Sequence, residues 1–261
     1  IVPGINTDGL IGATFCQRDG NADPFHSTFA YMNAAKRLGV EFLTYTEVKE
    51  LIAKNGKIRG VRTTKGDFEA AIVLNCANVW APGLAEQIGD KIPLFAERHE
   101  ALITEPVSPM GAEDRMMPMV MSWQWRFFIQ QTSHGSFIGG AIDANPITSE
   151  KLTPTFIEES GHIITKTLPM LRSLKVLRQW SGYFDNSPDH TPIIDFSKNA
   201  QGLINLCGFS GHGFMIAPRV AVMVARYLCK EEDNIDIMNF RLERFDTGDL
   251  FVEPTVHSMD S

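Results

Sequence analysis

Hydrophobic positions divide this chain into two regimes. Up to about residue 90, short apolar runs alternate with helix-like stretches; from about Pro93 they recur as short strands separated by turns. Residues 11–16 predict a strand and Asp19-Gly20-Asn21 a turn. Asp23 offers an N-cap with Pro24 at the first helical position. Phe25, Phe29, Met32 and Leu38 then recur near one face of a helix over 24–38, which Gly39 ends. Residues 40–43 predict a buried strand. Residues 47–53 and 58–63 predict a hairpin around Asn55-Gly56, a dipeptide suited to the tight turn between twisted strands. A strand over 68–75 follows, running through 76–82 into a short helix that ends at Ile88.

The second regime reads differently. Residues 101–104, 127–131 and 136–140 are short strands without helices between them, which predicts an antiparallel sheet. Residues 153–168 predict a helix, with Thr153-Pro154 as its cap and first residue. Strands return at 178–183 and 193–195. A last apolar run, 203–206, leads into a glycine-rich loop and a helix over 216–228.

Composition narrows the class of protein. With 261 residues, 44% hydrophobic and 21% charged, the chain is long enough for one large domain or two interleaved ones. A net charge of −7, with no basic run longer than Lys36-Arg37, argues against nucleic-acid binding. No apolar stretch approaches the length of a membrane span and no signal peptide is visible. Cys16, Cys76, Cys207 and Cys229 are far apart and lack a CxxC spacing, so reduced thiols are expected and a metal site is not. A reducing cytoplasm fits that usage.

The segment with most chemical content is Cys207-Gly208-Phe209-Ser210-Gly211-His212-Gly213-Phe214-Met215. Three glycines in six residues let the backbone approach a ligand closely, and the helix that follows aims unpaired N–H groups and a positive end at it. Upstream stand Arg178-Gln179-Trp180-Ser181-Gly182-Tyr183, Ser187-Pro188-Asp189 and Pro192-Ile193-Ile194-Asp195. Together these resemble the carboxyl-terminal flavin site of the D-amino-acid oxidase-like FAD enzymes, closest to the sarcosine oxidase and proline dehydrogenase beta subunit branch. The resemblance covers about residues 12–228. Such enzymes open with a strand, a GxGxxG turn and a helix that carry the FAD pyrophosphate; no such turn follows a strand here, and the chain starts at Ile1 without Met. The expectation is a carboxyl-terminal fragment of an FAD enzyme, itself inactive and holding FAD weakly or not at all.

The resemblance implies an α/β (α+β) fold in which an incomplete FAD/NAD(P)-binding-type domain, 19–88 and 196–230, interleaves with an antiparallel-sheet substrate domain, 1–18 and 89–195. Residues 231–261 are left as a tail. It also implies that Gly208, Phe209, Ser210, Gly211, His212, Gly213, Phe214 and Met215 lie over the flavin. Cys76-Ala77-Asn78-Val79-Trp80 resembles the family's NAAGAW turn, placing Ala77, Asn78 and Trp80 against the ribose and pyrophosphate. Asn78 stands where glycine is usual, and asparagine tolerates a positive φ. Val48 matches the strand position whose backbone holds the adenine. Gly182 sits where monomeric sarcosine oxidase ties its flavin through cysteine, so no thioether is expected there. Each of these positions also has an ordinary reading as turn or core.

His99, in Arg98-His99-Glu100-Ala101, matches a substrate-pocket histidine of the family, and His212 lies in the flavin loop; an imidazole titrating near neutrality can position an amine or tune its protonation. His99 reads equally as a surface residue of an edge strand, and His26 as a half-exposed helix histidine. Trp125, Phe127 and Tyr183 are candidate pocket walls or core. Met215 replaces a lysine of monomeric sarcosine oxidase, and Phe184 and Gly211 stand where glycine oxidase carries carboxylate-binding arginines. A substrate carboxylate needs a cation or several donors; Arg98 and Arg126 are candidate anchors, and the segment expected to precede Ile1 is an equal alternative. The implied activity is FAD-dependent oxidation of the C–N bond of a small secondary amine or amino acid to an imine. The alternative is a structural subunit of a heteromeric flavin dehydrogenase, beside an alpha-type partner.

Overall fold

The computed structural model describes residues 1–142, 151–231 and 239–251. In chain order its elements are α1 (Pro24–Arg37), β1 (Val48–Lys54), β2 (Lys57–Thr63), β3 (Gly66–Glu69), β4 (Val73–Asn75) and α2 (Ala81–Glu86). Then come β5 (Phe95–Thr104), β6 (Val120–Ser122), β7 (Phe127–Gln131), β8 (Phe137–Ala141), α3 (Thr155–Thr167) and β9 (Val176–Asn186). The last are β10 (Ile193–Phe196), β11 (Leu203–Cys207), α4 (Gly213–Leu228) and α5 (Glu243–Thr247). They form two compact units, Ile1–Ala30 with Arg98–Tyr183, and Tyr31–Glu97 with Phe184–Ser261. None of the described helices is long and apolar enough to cross a membrane.

The first unit is built on the sheet ordered β6-β7-β8-β5-β9. Its β6–β7, β7–β8 and β8–β5 pairs are antiparallel, as the strand spacing predicts. Alternation sets its faces: Phe127, Ile129 and Gln131 of β7 are buried, as are Leu102 and Thr104 of β5. The register puts Ile129 and Leu102 both opposite Gly139, hence on one face. Ala141 and Leu102 meet Phe156 of α3, while Phe127, Ile129 and Phe137 pack with Ile164, Leu168 and Leu171. Each such fully buried large side chain contributes about 1.5–3 kcal/mol. Ser160 of α3 accepts the Ala141 N–H at 2.9 Å, so helix and sheet are also joined by a hydrogen bond.

The second unit carries two three-stranded sheets, β1-β2-β3 and β10-β11-β4. The hairpin is as expected: Asn55 and Gly56 take φ of 53° and 69°, as its tight turn requires. In the other sheet β10 runs antiparallel to β11, whereas β4 runs parallel to it, with Asn75 opposite Asn205. Strand β10, read from sequence as the end of the substrate sheet, therefore pairs with the strand leading into the glycine loop.

Several elements differ from the sequence pattern. The helix α1 is capped as expected, Asp23 Oδ1 accepting the His26 N–H at 2.7 Å. The apolar runs on either side of it form no strands. Residues 11–16 find no ladder partner among the described residues, and the turn after them falls at Gln17-Arg18, where the Asp19 N–H meets the Cys16 carbonyl. Residues 40–43 are exposed, because the Val40 N–H closes back onto the Ala35 carbonyl at 3.1 Å and finishes the helix. The run 68–75 is two strands in two sheets: the Ala70 N–H bonds Arg59 and the Val73 N–H bonds Gly202, so the chain crosses between sheets over 70–73. Thr153 does not cap α3 through its hydroxyl, which accepts from Arg98 at 2.6 Å.

Candidate functional site

Two loops leave the same end of one pair of parallel strands. Asn75 ends β4 and runs into residues 76–80; β11 extends two residues past Asn205, the partner of Asn75, to Cys207 and runs into 208–212. Each loop leads into a helix, α2 and α4; at the start of α2 the Ala81 N–H donates to the Asn78 carbonyl and Pro82 has no N–H. The carboxyl edge of parallel strands, lined by helix N-termini, is where open α/β sheets bind ligands with anionic groups.

The second loop is tightly specified. Gly208 has φ +70°, and a Cβ there would lie 2.9 Å from Leu94 Cδ2. Ser210 is buried at φ +50°, its hydroxyl donating to the Gly208 carbonyl at 3.1 Å and accepting the Ser187 N–H at 3.2 Å. Gly211, at φ +81°, lies under the ring of Phe184. Gly213 packs against Phe209, and the His212 N–H closes onto the Phe209 carbonyl at 2.8 Å. No side chain caps α4, and its first recorded backbone bond is Ile216 N–H to the His212 carbonyl. The N–H groups of Gly213, Phe214 and Met215 precede that bond in the first turn of α4, at its positive end, and the Phe214 and Met215 side chains are exposed.

The first loop borders a cleft of about 670 Å³ lined by Val48, Leu51, Val61, Val73, Cys76, Ala77, Trp80 and Leu84, among others. Ala77 and Trp80 of the sequence motif meet Val48, the separately matched strand position, there. Asn78 adopts φ +52°, the conformation its glycine-like place calls for, and its Oδ1 accepts the Val79 N–H at 2.6 Å. The loop is held from below: Asn75 Nδ2 donates to the Ala81 carbonyl at 3.0 Å and to Asn205 Oδ1 at 2.9 Å. Asn205 and Asn199 in turn donate to buried Asp90. The cleft's size and apolar walls suit a flat heterocycle, and the close-approach loop with its open helix end suits an electron-rich ring. Together they fit a dinucleotide such as FAD.

Electrostatics concentrate beneath the loops. Burial pushes the Cys207 thiol well above its ordinary range, with the neighbouring Asp185 carboxylate adding to the effect. Burial also raises the Asp185 carboxyl, although backbone N–H groups of Gly208, Phe209 and Ser210 pull it back. Asp189 behaves oppositely: burial opposes its charge, but hydrogen bonds and attraction from Arg244 outweigh this and hold it below the carboxylate range. All four cysteines are free, with Cys207 buried and Cys16, Cys76 and Cys229 exposed. No cluster among the described residues suits a metal ion.

The candidates in the first unit separate cleanly. His99 is half-buried, on the face of β5 opposite Arg98, Glu100 and Leu102. Arg98 is committed elsewhere: it pairs with buried Glu100 at 3.2 Å, donates to Thr153, and contacts the Lys151 carbonyl. It is therefore no longer a suitable carboxylate anchor. Arg126 is exposed at φ +47° in the turn before β7, and Gly182 is exposed on β9. Phe127 is fully buried core, Trp125 is half-buried under Lys166, and Tyr183 is half-buried on β9. His26 is exposed beside Asp23. Sequence reading missed Asp185, Leu94, Asp90 and Arg244.

A family model described as "DAO: FAD dependent oxidoreductase" matches residues 1–227. The sarcosine oxidase subunit beta of Arthrobacter sp is 29% identical over 245 residues, 94% of this chain and 59% of that protein. That of Rhodobacter capsulatus is 26% identical over 258 residues, 97% of this chain and 61% of that protein. The solved L-proline dehydrogenase of P. horikoshii is 36% identical with a TM-score of 0.88, over 96% of this chain and 67% of that one. Glycine oxidase from Geobacillus kaustophilus, 20% identical, shares the fold with a TM-score of 0.73 over 82% of this chain and 56% of that one. The chain thus spans about three fifths of the two sarcosine oxidase subunits.

Proposed function

Because the chain belongs to the DAO family of FAD-dependent oxidoreductases, we propose that it acts, as part of the whole protein, in oxidising the C–N bond of a small secondary amine or amino acid to an imine. Sarcosine-, proline- and glycine-like compounds are the substrate class. The observation that carries this reading is the pair of loops at the carboxyl ends of β4 and β11, one beside an apolar cleft and the other opening a helix. The names of the similar proteins support it: sarcosine oxidase, proline dehydrogenase and glycine oxidase.

We assign cofactor binding to the unit holding β4, β11 and α4, and substrate binding to the antiparallel sheet. Val48, Ala77, Asn78 and Trp80 would hold the adenosine end of FAD. Residues 208–215 would hold the flavin end, with Gly182 on the substrate side. Bound FAD supplies the two-electron acceptor. The chain supplies the first-turn N–H groups of Gly213, Phe214 and Met215, which stabilise negative charge without reorganising. His212, from the loop, and His99, from the sheet, are the candidates for orienting the amine, with Trp125 and Tyr183 as walls. Free cysteines support a reducing cytoplasm.

The test is anaerobic addition of proline, sarcosine and glycine to the FAD-loaded whole protein. Bleaching of the flavin band by one of them is expected; no bleaching by any small amino acid would sink the proposal. A second reading, a subunit that needs a partner, is supported by relatives named as subunits, including the hydrogen cyanide synthase subunit HcnC of Pseudomonas aeruginosa. Co-purification of a second chain from the native source, required for turnover, would favour it.

A further inference from the structure

We propose that Asp185 is a positioning residue for the glycine loop, its carboxylate fixing the Gly208 peptide and, through it, the backbone that opens α4. The role rests on the flavin reading for its consequence, although not for its geometry. Asp185 is only 5% exposed, near the end of β9. Its Oδ2 accepts the Gly208 N–H at 2.7 Å, and its main-chain carbonyl accepts the Ser210 N–H at 3.3 Å. Both donors belong to residues at positive φ, which turns their N–H groups off the β11 ladder and leaves them to be satisfied from outside it.

A carboxylate is an expensive group to bury, and an apolar side chain would fill the space at lower cost. What it supplies is an acceptor for backbone donors that the turn cannot satisfy internally. Burial raises its carboxyl, and the N–H groups of Gly208, Phe209 and Ser210 act against that, so the loop and the carboxylate stabilise each other. The adjacent residue completes the clamp, because the Phe184 ring lies against Gly211. Consecutive residues of β9 thus hold both halves of the loop. Two loop donors are consumed by Asp185, while those of Gly213, Phe214 and Met215 lie in the first turn of α4, where the flavin end would sit.

Asp185→Ala and Asp185→Asn separate this role from general packing, since asparagine keeps an acceptor at the same reach. Amide hydrogen exchange of the peptide covering 207–214 is measured in the protein without FAD, and the visible absorption maximum of bound flavin in the loaded protein. Asp185→Ala is expected to speed exchange of the Gly208 amide by about tenfold and to shift the flavin maximum; Asp185→Asn is expected to restore both. Unchanged exchange in Asp185→Ala, or an Asn variant indistinguishable from Ala, overturns the proposal. If Asp185→Ala does not fold, Asp185→Ser, whose oxygen is one bond too short for the same contact, replaces it with the same expected outcomes. A wild type that takes up no FAD would overturn the flavin reading instead, and the exchange comparison would still decide the role of Asp185.

Discussion

Arg244 donates from its Nε and one terminal nitrogen to the two oxygens of Asp189, at 2.7 and 3.0 Å, with both side chains almost wholly buried. The pair links helix α5 to the Ser187-Pro188-Asp189 turn, and Arg244 also donates to the carbonyls of Phe240 and Thr191. A buried pair of this kind need not outweigh an apolar replacement, but breaking it from one side leaves a buried charge alone. Arg244→Ala is therefore expected to cost about 3–5 kcal/mol in urea unfolding, and Arg244→Ala with Asp189→Asn substantially less. Equal losses in the single and double variants would show that packing of the arginine stem, not its charge, dominates.

Acidification should act in two opposed ways. Asp195 is buried and its carboxyl raised, by desolvation first, so the folded protein takes up its proton before the unfolded chain does. Stability should rise as pH falls from Asp195's raised folded value toward the ordinary carboxylate range. Asp189, lowered by Arg244, contributes stability that is full above the unfolded value and is lost as pH falls through its folded one. Denaturant midpoints across mildly to strongly acidic buffers should show the rise diminished in Asp195→Asn. The final fall should be diminished in Asp189→Asn.

The contact between Phe184 and Gly211 yields a prediction about the loop. A Cβ at position 211 would sit 2.7 Å from Phe184 Cε2, at a φ of +81° that non-glycine residues avoid. Gly211→Ala should weaken FAD binding in the whole protein by more than tenfold, combining the clash with about 1 kcal/mol of backbone strain. Phe184→Ala in the same background removes the clash and leaves the strain, so it should recover part of the loss. No recovery in a fluorescence titration of FAD would place the whole cost in the backbone.

Trp80 is 65% exposed yet lines the apolar cleft, an unusual combination for a residue serving only the core. Trp80→Ala should change unfolding free energy by no more than about 0.5 kcal/mol and should lower FAD affinity at least tenfold. Val48→Trp, which adds bulk at another residue lining the cleft, should do the same. Affinity unchanged in both variants would remove the cleft from the cofactor site.

How much of this was legible in the sequence depended on whether a feature was local. The Asn55-Gly56 hairpin, the cap at Asp23 and the strand–loop–helix around Gly208 are set by neighbouring residues, and the pattern gave them correctly. Phe42 and Leu43 looked like a buried strand because apolar runs carry no record of whether a partner strand exists. Strands β3 and β4 merged for a related reason: only their separate partners, β2 and β11, show that the chain changes sheets. In the candidate site the motifs located Ala77, Trp80 and the loop. Asp185, Asp90 and Arg244 escaped because their partners lie 23, 109 and 55 positions away in the chain. A charge with a distant partner has no sequence period to betray it.

The two candidate histidines should respond differently to substitution. His99 stands on a strand, half-buried, on the face of β5 that alternates away from Arg98 and Glu100, so its backbone is fixed by the sheet whatever its side chain. Removing the imidazole should leave flavin content near wild type and raise the substrate KM, with a smaller fall in kcat, if it orients the amine. His212 is different because its main chain is part of the turn: its N–H bonds Phe209, its carbonyl receives Ile216, and it precedes the first residue of α4. His212→Ala should therefore lower flavin content or shift the flavin spectrum, alone or together with a change in KM. Steady-state kinetics and the ratio of flavin to protein absorbance, measured on both variants of the FAD-loaded whole protein, separate the two patterns. A His99→Ala enzyme with unchanged KM for every small amino acid tested would remove His99 from the substrate side and leave His212 to account for amine recognition.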